Sequence, residues 1–154
     1  MESLTQQLAS GILTNNAEET EALGIRFAQS LAPDTSIALH GNLGVGKTTF
    51  VKGLAKGFGI QQTITSPTFN LFAIYEGTFQ LVHLDAYRLN RNDSVESLML
   101  DDFLRSPYCL VIEWPDNIDT SLLQDAIHLE LSMLSENTQP VSYTHLTLPT
   151  NGTV

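Results

Sequence analysis

Positive charge is scarce in this chain: seven lysines and arginines stand against seventeen aspartates and glutamates, for a formal net charge of −10 over 154 residues. A surface of that sign opposes autonomous binding to a phosphate backbone, so nucleic acid, if it matters here, is expected to be held by a partner. Cysteine is scarcer still. Cys109 alone permits no internal disulfide and no cysteine-based zinc site, and its setting in YCLVI predicts a small buried apolar residue. No apolar run approaches the roughly 18 residues that a membrane span needs, Met1-Glu2-Ser3 opens without a basic leader, and no terminal lipidation box is present. A cytoplasmic address is expected. Internal repeats and linkers are lacking too, and a chain of this length forms one domain that buries roughly 68–70% of its unfolded surface.

What positive charge there is lies concentrated. Lys47, Lys52 and Lys56 all fall in one ten-residue stretch after the glycines of HGNLGVGKTT, residues 40 to 49, which suggests a local anionic ligand. Ser36 to Leu39 reads as a buried strand before it. Thr48 to Phe58 reads as a helix after it, with Phe50, Val51, Leu54, Ala55 and Phe58 on one face. Between them Gly41, Asn42, Leu43, Gly44, Val45, Gly46, Lys47 and Thr48 fit G-x-x-x-x-G-K-[ST]. Glycines there let backbone N–H groups converge on phosphate oxygens, and the start of the next helix favours negative charge. The expected ligand is a polyphosphate, with Mg²⁺. Lys47 is expected at the β- and γ-phosphates, Thr48 at Mg²⁺, the amides from Leu43 onward around the phosphates, and Thr49 at the α-phosphate.

The remaining pattern alternates. Asn16 with Glu19 resembles a capping box, followed by Ala22, Leu23, Phe27 and Leu31 at helical spacing, so a helix is predicted over about 17 to 31. Pro33-Asp34 reads as a turn. Residues 71 to 75 and 78 to 85 flank Glu76-Gly77 as an antiparallel hairpin, and 95 to 104 reads as an amphipathic helix. YCLVIEW, 108 to 114, is a strand stopped by Pro115, and another strand covers about 127 to 134. The fold class is α/β: a P-loop NTPase-like three-layer fold whose mixed, mostly parallel sheet carries an antiparallel hairpin. Residues 1–135 are expected to form that P-loop domain. The threonine-rich tail, 136–154, is either a final edge strand over 141 to 148 or a loosely ordered end.

A magnesium site needs a carboxylate at a strand end, and Asp85 and Glu113 both qualify. One is expected to hold the metal while the other orients or polarises the attacking water, and each also fits a solvated strand-end acid. In Thr65-Ser66-Pro67-Thr68-Phe69, Pro67 stiffens the backbone, so Thr68 is a candidate sensor of γ-phosphate or metal, against an ordinary strand-entry turn. His83, Asp85 and Tyr87 alternate onto one strand face, where a histidine packed and bonded to its neighbours is favoured over a metal ligand. Trp114 either lines the nucleotide site or belongs to the core or an interface.

In order and spacing, GNLGVGKTT, SPTF, HLDAYRL and VIEWP over about residues 5 to 135 resemble the TsaE family of bacterial tRNA threonylcarbamoyladenosine biosynthesis ATPases. The resemblance implies a P-loop fold that binds ATP and Mg²⁺ and hydrolyses ATP mainly when joined to partner subunits. Those are a kinase-like subunit that transfers threonylcarbamoyl to adenosine 37 of tRNAs reading ANN codons, and its dimerising paralogue; tRNA is met through the complex. It further implies functional roles for Lys47, Thr48, Asp85, Glu113 and Trp114, a switch-like Thr68, and a nucleotide-edge contact at Thr20. Asn42 and Val45 depart from the family, which commonly has an acid after the first glycine and a small residue before the third.

Three functional classes are compatible with a phosphate loop: an ATPase subunit of a modifying complex, a small-molecule phosphotransferase, and a nucleotide-dependent binding switch. The second normally needs extra cations, and only Arg26, Arg88, Arg91 and Arg105 remain, with Arg88 a candidate charge stabiliser or partner contact. Guanine selection by Asn-Lys-x-Asp is excluded, because every lysine lies between 47 and 56.

Overall fold

The computed structural model of the chain describes residues 4–41, 46–65, 72–86, 100–115, 125–133 and 142–147. It begins with a helix α1 (Leu4–Ser10) and a short strand β1 (Ile12–Thr14), neither of which the apolar pattern predicts. Asn16 then starts helix α2 (Ala17–Ser30), its side-chain oxygen accepting the Glu19 N–H at 2.8 Å. Glu19 Oε1 reaches back to the N–H of Asn15 at 3.0 Å, so the capping box closes one residue earlier than its usual form.

Strand β2 (Thr35–His40) leads to helix α3 (Lys47–Gly57). The predicted apolar face of α3 is buried in full: Phe50, Val51, Leu54 and Ala55, with Phe58 just beyond the last turn. On α2 the buried stripe is Thr20, Leu23, Gly24, Phe27 and Ala28, while Ala22, expected inside, is exposed. The reason is shape rather than polarity. Gly24 faces α3 so closely that a Cβ there would stand 2.5 Å from Phe50 O and 2.9 Å from the Cα of Gly53. One on Gly57 would meet the Ala28 Cβ at 2.5 Å. The two helices therefore touch backbone to backbone, a contact that only glycine allows.

The hairpin appears as β3 (Phe72–Tyr75) and β4 (Gln80–Asp85), paired antiparallel with Phe72 opposite Leu84. Thr78, expected in the second strand, instead donates both its N–H and its hydroxyl to Phe58 O at the end of α3. Of the helix predicted over 95 to 104, the described part is its last turn, α4 (Leu100–Phe103). Strands β5 (Tyr108–Glu113), β6 (Ile127–Met133) and β7 (Ser142–Thr147) follow.

One seven-stranded sheet results, in the order β1-β7-β6-β2-β5-β4-β3. The central strands β6, β2, β5 and β4 run parallel; β3 is antiparallel to β4 on one side and β7 antiparallel to β6 on the other, while β1, antiparallel to β7, runs with the central strands. Strand β7 lies between β6 and β1, so the unpredicted β1 takes the edge. One face of the sheet buries Ile37, Leu39, Leu81 and Val111 against Phe27, Phe50, Leu54 and Phe58 of the helical layer. The other buries Val82, Leu84, Leu110 and Ile112, with Phe72 tilted against Phe103 of α4. Full burial of such side chains is worth about 1.5–3 kcal/mol each, which makes this two-sided core the main stabilising term. Cys109 is in it, and burial pushes its thiol far up, leaving it inert. Among the described residues no helix is long and apolar enough to cross a membrane.

The central register is pinned at the base of the strands. Asp34, at φ 62°, accepts from the Tyr108 N–H at 3.2 Å and the Ser106 hydroxyl at 2.9 Å, and donates its own N–H to Tyr108 O at 2.9 Å. Aspartate tolerates this left-handed conformation better than most residues. With β2 and β5 aligned there, Leu39 falls opposite Glu113 and Asp85 opposite Glu113 at the far ends.

Candidate functional site

The site forms at the C-terminal ends of the parallel strands, where α3 begins. Gly46 caps α3 in the left-handed conformation, φ 100°, and contributes no side-chain hydrogen bond to it; Gly41, at the end of β2, has φ 143°. Both conformations suit glycine, and a helix start without a side-chain cap is a place for an external anion. Asn42, Leu43, Gly44 and Val45 lie outside the described residues, as do Thr68, Tyr87 and Arg88.

Lys47 opens the helix and turns inward. Only 5% of it is exposed, and its ammonium has no hydrogen-bond acceptor among the described residues. Its neighbours are Glu113, with Oε1 at 3.8 Å, and the ring of Trp114, whose centroid lies 4.2 Å from Nζ. Burial pulls the ammonium below its ordinary value, and the negative charges of Glu113 and then Asp85 pull it back. A buried cation with an ion pair, a ring and no acceptor still has donors to give. That is the chemistry a phosphate would satisfy.

Glu113 ends β5 and is buried; Asp85 ends β4 beside it, half-buried. The next residue, Trp114, takes φ 58°, uncommon for a bulky side chain, and packs on the far-face cluster while its ring reaches Lys47. Ala86 N–H donates to Glu113 O at 3.0 Å, tying the two strand ends together. Thr48 and Thr49 follow Lys47 in the first turn of α3, both half-buried. Thr48, Asp85 and Glu113 offer oxygen donors, the hard ligands Mg²⁺ takes. Among the described residues no three His, Cys, Asp or Glu side chains gather as a metal site by themselves.

Thr20 is buried on α2, and its hydroxyl is 2.6 Å from that of Thr14 on β1. Arg26 and Arg105 are engaged by Gln7 and Glu76. Two histidine contacts carry no motif. His83 is fully buried, bonded through Nε2 to Glu113 Oε2 at 2.5 Å; its alternation with Asp85 placed it on the correct face, and only the β4–β5 pairing reveals its partner. His40, just before the glycine loop, stacks on His128 with Nε2 2.9 Å from Nδ1, a pair made across β2 and β6.

A strand leading to Gly41 and a helix that is capped by Gly46 and carries an inward lysine, set beside acids on neighbouring parallel strands, define a P-loop-like α/β protein. The chain belongs to the TsaE family: the model for threonylcarbamoyl adenosine biosynthesis protein TsaE matches residues 14–141, reaching past Ser135 into the tail. The tRNA threonylcarbamoyladenosine biosynthesis protein TsaE of Bacillus subtilis (strain 168) is 34% identical over 132 residues, covering 85% of this chain and 82% of its own length. That of Treponema pallidum (strain Nichols) is 33% identical over 130 residues, covering 84% and 96%. The crystal structure of Bacillus subtilis YdiB superposes with a TM-score of 0.67 at 27% identity, over 89% of this chain and 85% of that one.

Proposed function

We propose that this protein is a cytoplasmic, Mg²⁺-dependent ATP-binding and ATP-hydrolysing subunit of the bacterial machinery that forms N6-threonylcarbamoyladenosine at position 37 of tRNAs reading ANN codons. Its hydrolysis depends on partner subunits, the kinase-like threonylcarbamoyl transferase and its dimerising paralogue, and tRNA is met through that complex. Family membership supports the pathway. One observation carries the nucleotide chemistry: the buried Lys47 ammonium at the start of α3, opposite Glu113 and without an acceptor among the described residues.

In this reading Lys47 leaves Trp114 and Glu113 for the β- and γ-phosphate oxygens, and the α3 N-terminus takes the remaining phosphate charge. Glu113 orients the attacking water, and Asp85 with Thr48 supplies the protein oxygens of the metal site. Held by Thr48 and Asp85, a divalent ion would supply charge neutralisation at the phosphate oxygens. Trp114 closes one side of the space in front of Lys47. Thr68 senses the γ-phosphate, and Thr20 supports the nucleotide edge through its helix. Few cations remain to stabilise the transferring phosphoryl group, which is why the isolated chain is slow and a partner completes the site.

The test is ATP turnover by the pure chain, then with the transferase subunits and tRNA, scoring phosphate release and modified adenosine together. Slow turnover alone, with stimulation coupled to modification, is expected. Fast turnover by the isolated chain, or no stimulation and no modified adenosine, overturns the reading.

A further inference from the structure

The carboxylate of Glu113 is held unevenly. Its Oε1 lies 3.8 Å from Lys47, beyond hydrogen-bonding distance, and its Oε2 lies 2.5 Å from His83 Nε2. The His83 contact is the one hydrogen bond the carboxylate makes among the described residues. A glutamate's terminal torsion is broad and two-fold, so a carboxyl with one bonded oxygen is fixed and one without is free to turn.

His83 pays for this service in its own surroundings: it is fully buried, and its Nδ1 has no partner among the described residues. Because a carboxylate only accepts, Nε2 carries the hydrogen of the short bond. His83 stands opposite Val111 and Ala73, one pleat behind Asp85 and diagonal to Glu113. An aliphatic side chain would fill that apolar position without an orphaned ring nitrogen. The polar atom at the one end that touches Glu113 is what distinguishes histidine there.

We infer that His83 is the positioning residue of Glu113: its Nε2–H locks Oε2 and thereby aims Oε1 into the space before Lys47, where the attacking water is oriented. This rests on the ATP-hydrolysing reading above. In that step the water oxygen bonds to the γ-phosphorus. The bond from that phosphorus to the bridging oxygen breaks, with its electron pair leaving on ADP. The water proton passes to Glu113 Oε1 and then to the released phosphate. His83 neither receives that proton nor touches the nucleotide.

The deciding experiment measures kcat and KM for ATP in the complex of the full chain with its partner subunits, for His83→Leu and His83→Gln, each with Glu113 intact and as Glu113→Gln. With Glu113 intact, His83→Leu is expected to lower kcat about 10- to 100-fold, the scale of a misplaced catalytic group, with KM within about threefold. His83→Gln, which keeps an N–H donor at similar reach, restores most of that loss. In the Glu113→Gln background, His83→Leu has no further effect. An unchanged kcat, or an equal loss in both backgrounds, overturns the inference. Should His83→Leu fail to fold, the Gln variant and a long-range ¹H–¹⁵N spectrum of the wild-type imidazole decide: a strongly downfield Nε2 proton that is lost in Glu113→Leu supports the lock, and its absence refutes it. If the wild-type complex releases no phosphate, the nucleotide reading fails, while the spectrum still decides whether His83 holds Glu113.

Discussion

Lys47 Nζ and Glu113 Oε1 stand 3.8 Å apart, close enough to be an ion pair and too far to be a hydrogen bond. Among the described residues the lysine is held by charge and by the face of Trp114, not by hydrogen-bond acceptors. A phosphate oxygen offers more than either neighbour.

Nucleotide binding should therefore draw Lys47 off the Trp114 ring. Trp114 is the only tryptophan in the chain, so its emission reports the event directly. Adding ATP is expected to change tryptophan fluorescence, and Lys47→Met should show altered emission before any nucleotide is added. That variant should bind ATP about 10–100-fold more weakly, the loss of one charged hydrogen-bonding group. Emission that ignores both ATP and the substitution would place the ring away from the binding event.

Glu113→Gln keeps the size of the side chain and its contact with His83 while removing the charge. ATP affinity should stay within about threefold, and phosphate release in the complex should fall about 10²–10⁴-fold, the range ascribed to general base catalysis. Normal turnover by this variant would remove Glu113 from the water-orienting role.

The buried lysine also sets a pH dependence. Its folded pKa is lowered from the ordinary 10.5, chiefly by burial, so between the lowered value and 10.5 the unfolded chain binds more protons than the folded one. Stability then rises with pH through that interval, and below it the charged, buried lysine is a full cost. Melting temperatures of the wild type and Lys47→Met, compared from neutral pH up towards 10.5, should show the wild type gaining on the variant as pH climbs. A constant difference would mean that burial does not depress the ammonium.

Gly53→Ala tests the helix contact. A Cβ there would run into backbone of α2, at Glu21 O and, 2.9 Å away, the Gly24 Cα, neither of which can step aside. Overpacking of this kind costs about 1–3 kcal/mol against about 1 kcal/mol regained from helix propensity. Denaturant melts should show a net loss of stability, and a stabilised Gly53→Ala would show that the helices can separate.

Local patterns were readable from the residues alone. The apolar strand, the glycine run and the 3.6-residue stripe of α3 are adjacent in the chain, so the phosphate-loop unit and the hairpin follow from spacing. Helix α1 has seven residues and strand β1 three, too few for a periodic apolar pattern to declare itself from spacing. Ala22 was misplaced because polarity says nothing about room: α2 needs Gly24 at its contact, and the stripe is rotated to put it there. Among site residues, Lys47, Asp85 and Glu113 were visible by motif and strand end. Their mutual arrangement depends on β4 and β5 pairing parallel, as does the link from His83 to Glu113, and the φ of Trp114 leaves no trace in residue type.

At Gly24 and Gly53 the backbones of α2 and α3 meet with no side chain between them, and the hydroxyls of Thr20 and Thr14 fasten α2 in turn to β1. A ligand pulling on the first turn of α3 finds no slack to take up: the helix stays where it is, or it carries α2 and the edge of the sheet with it as a single block.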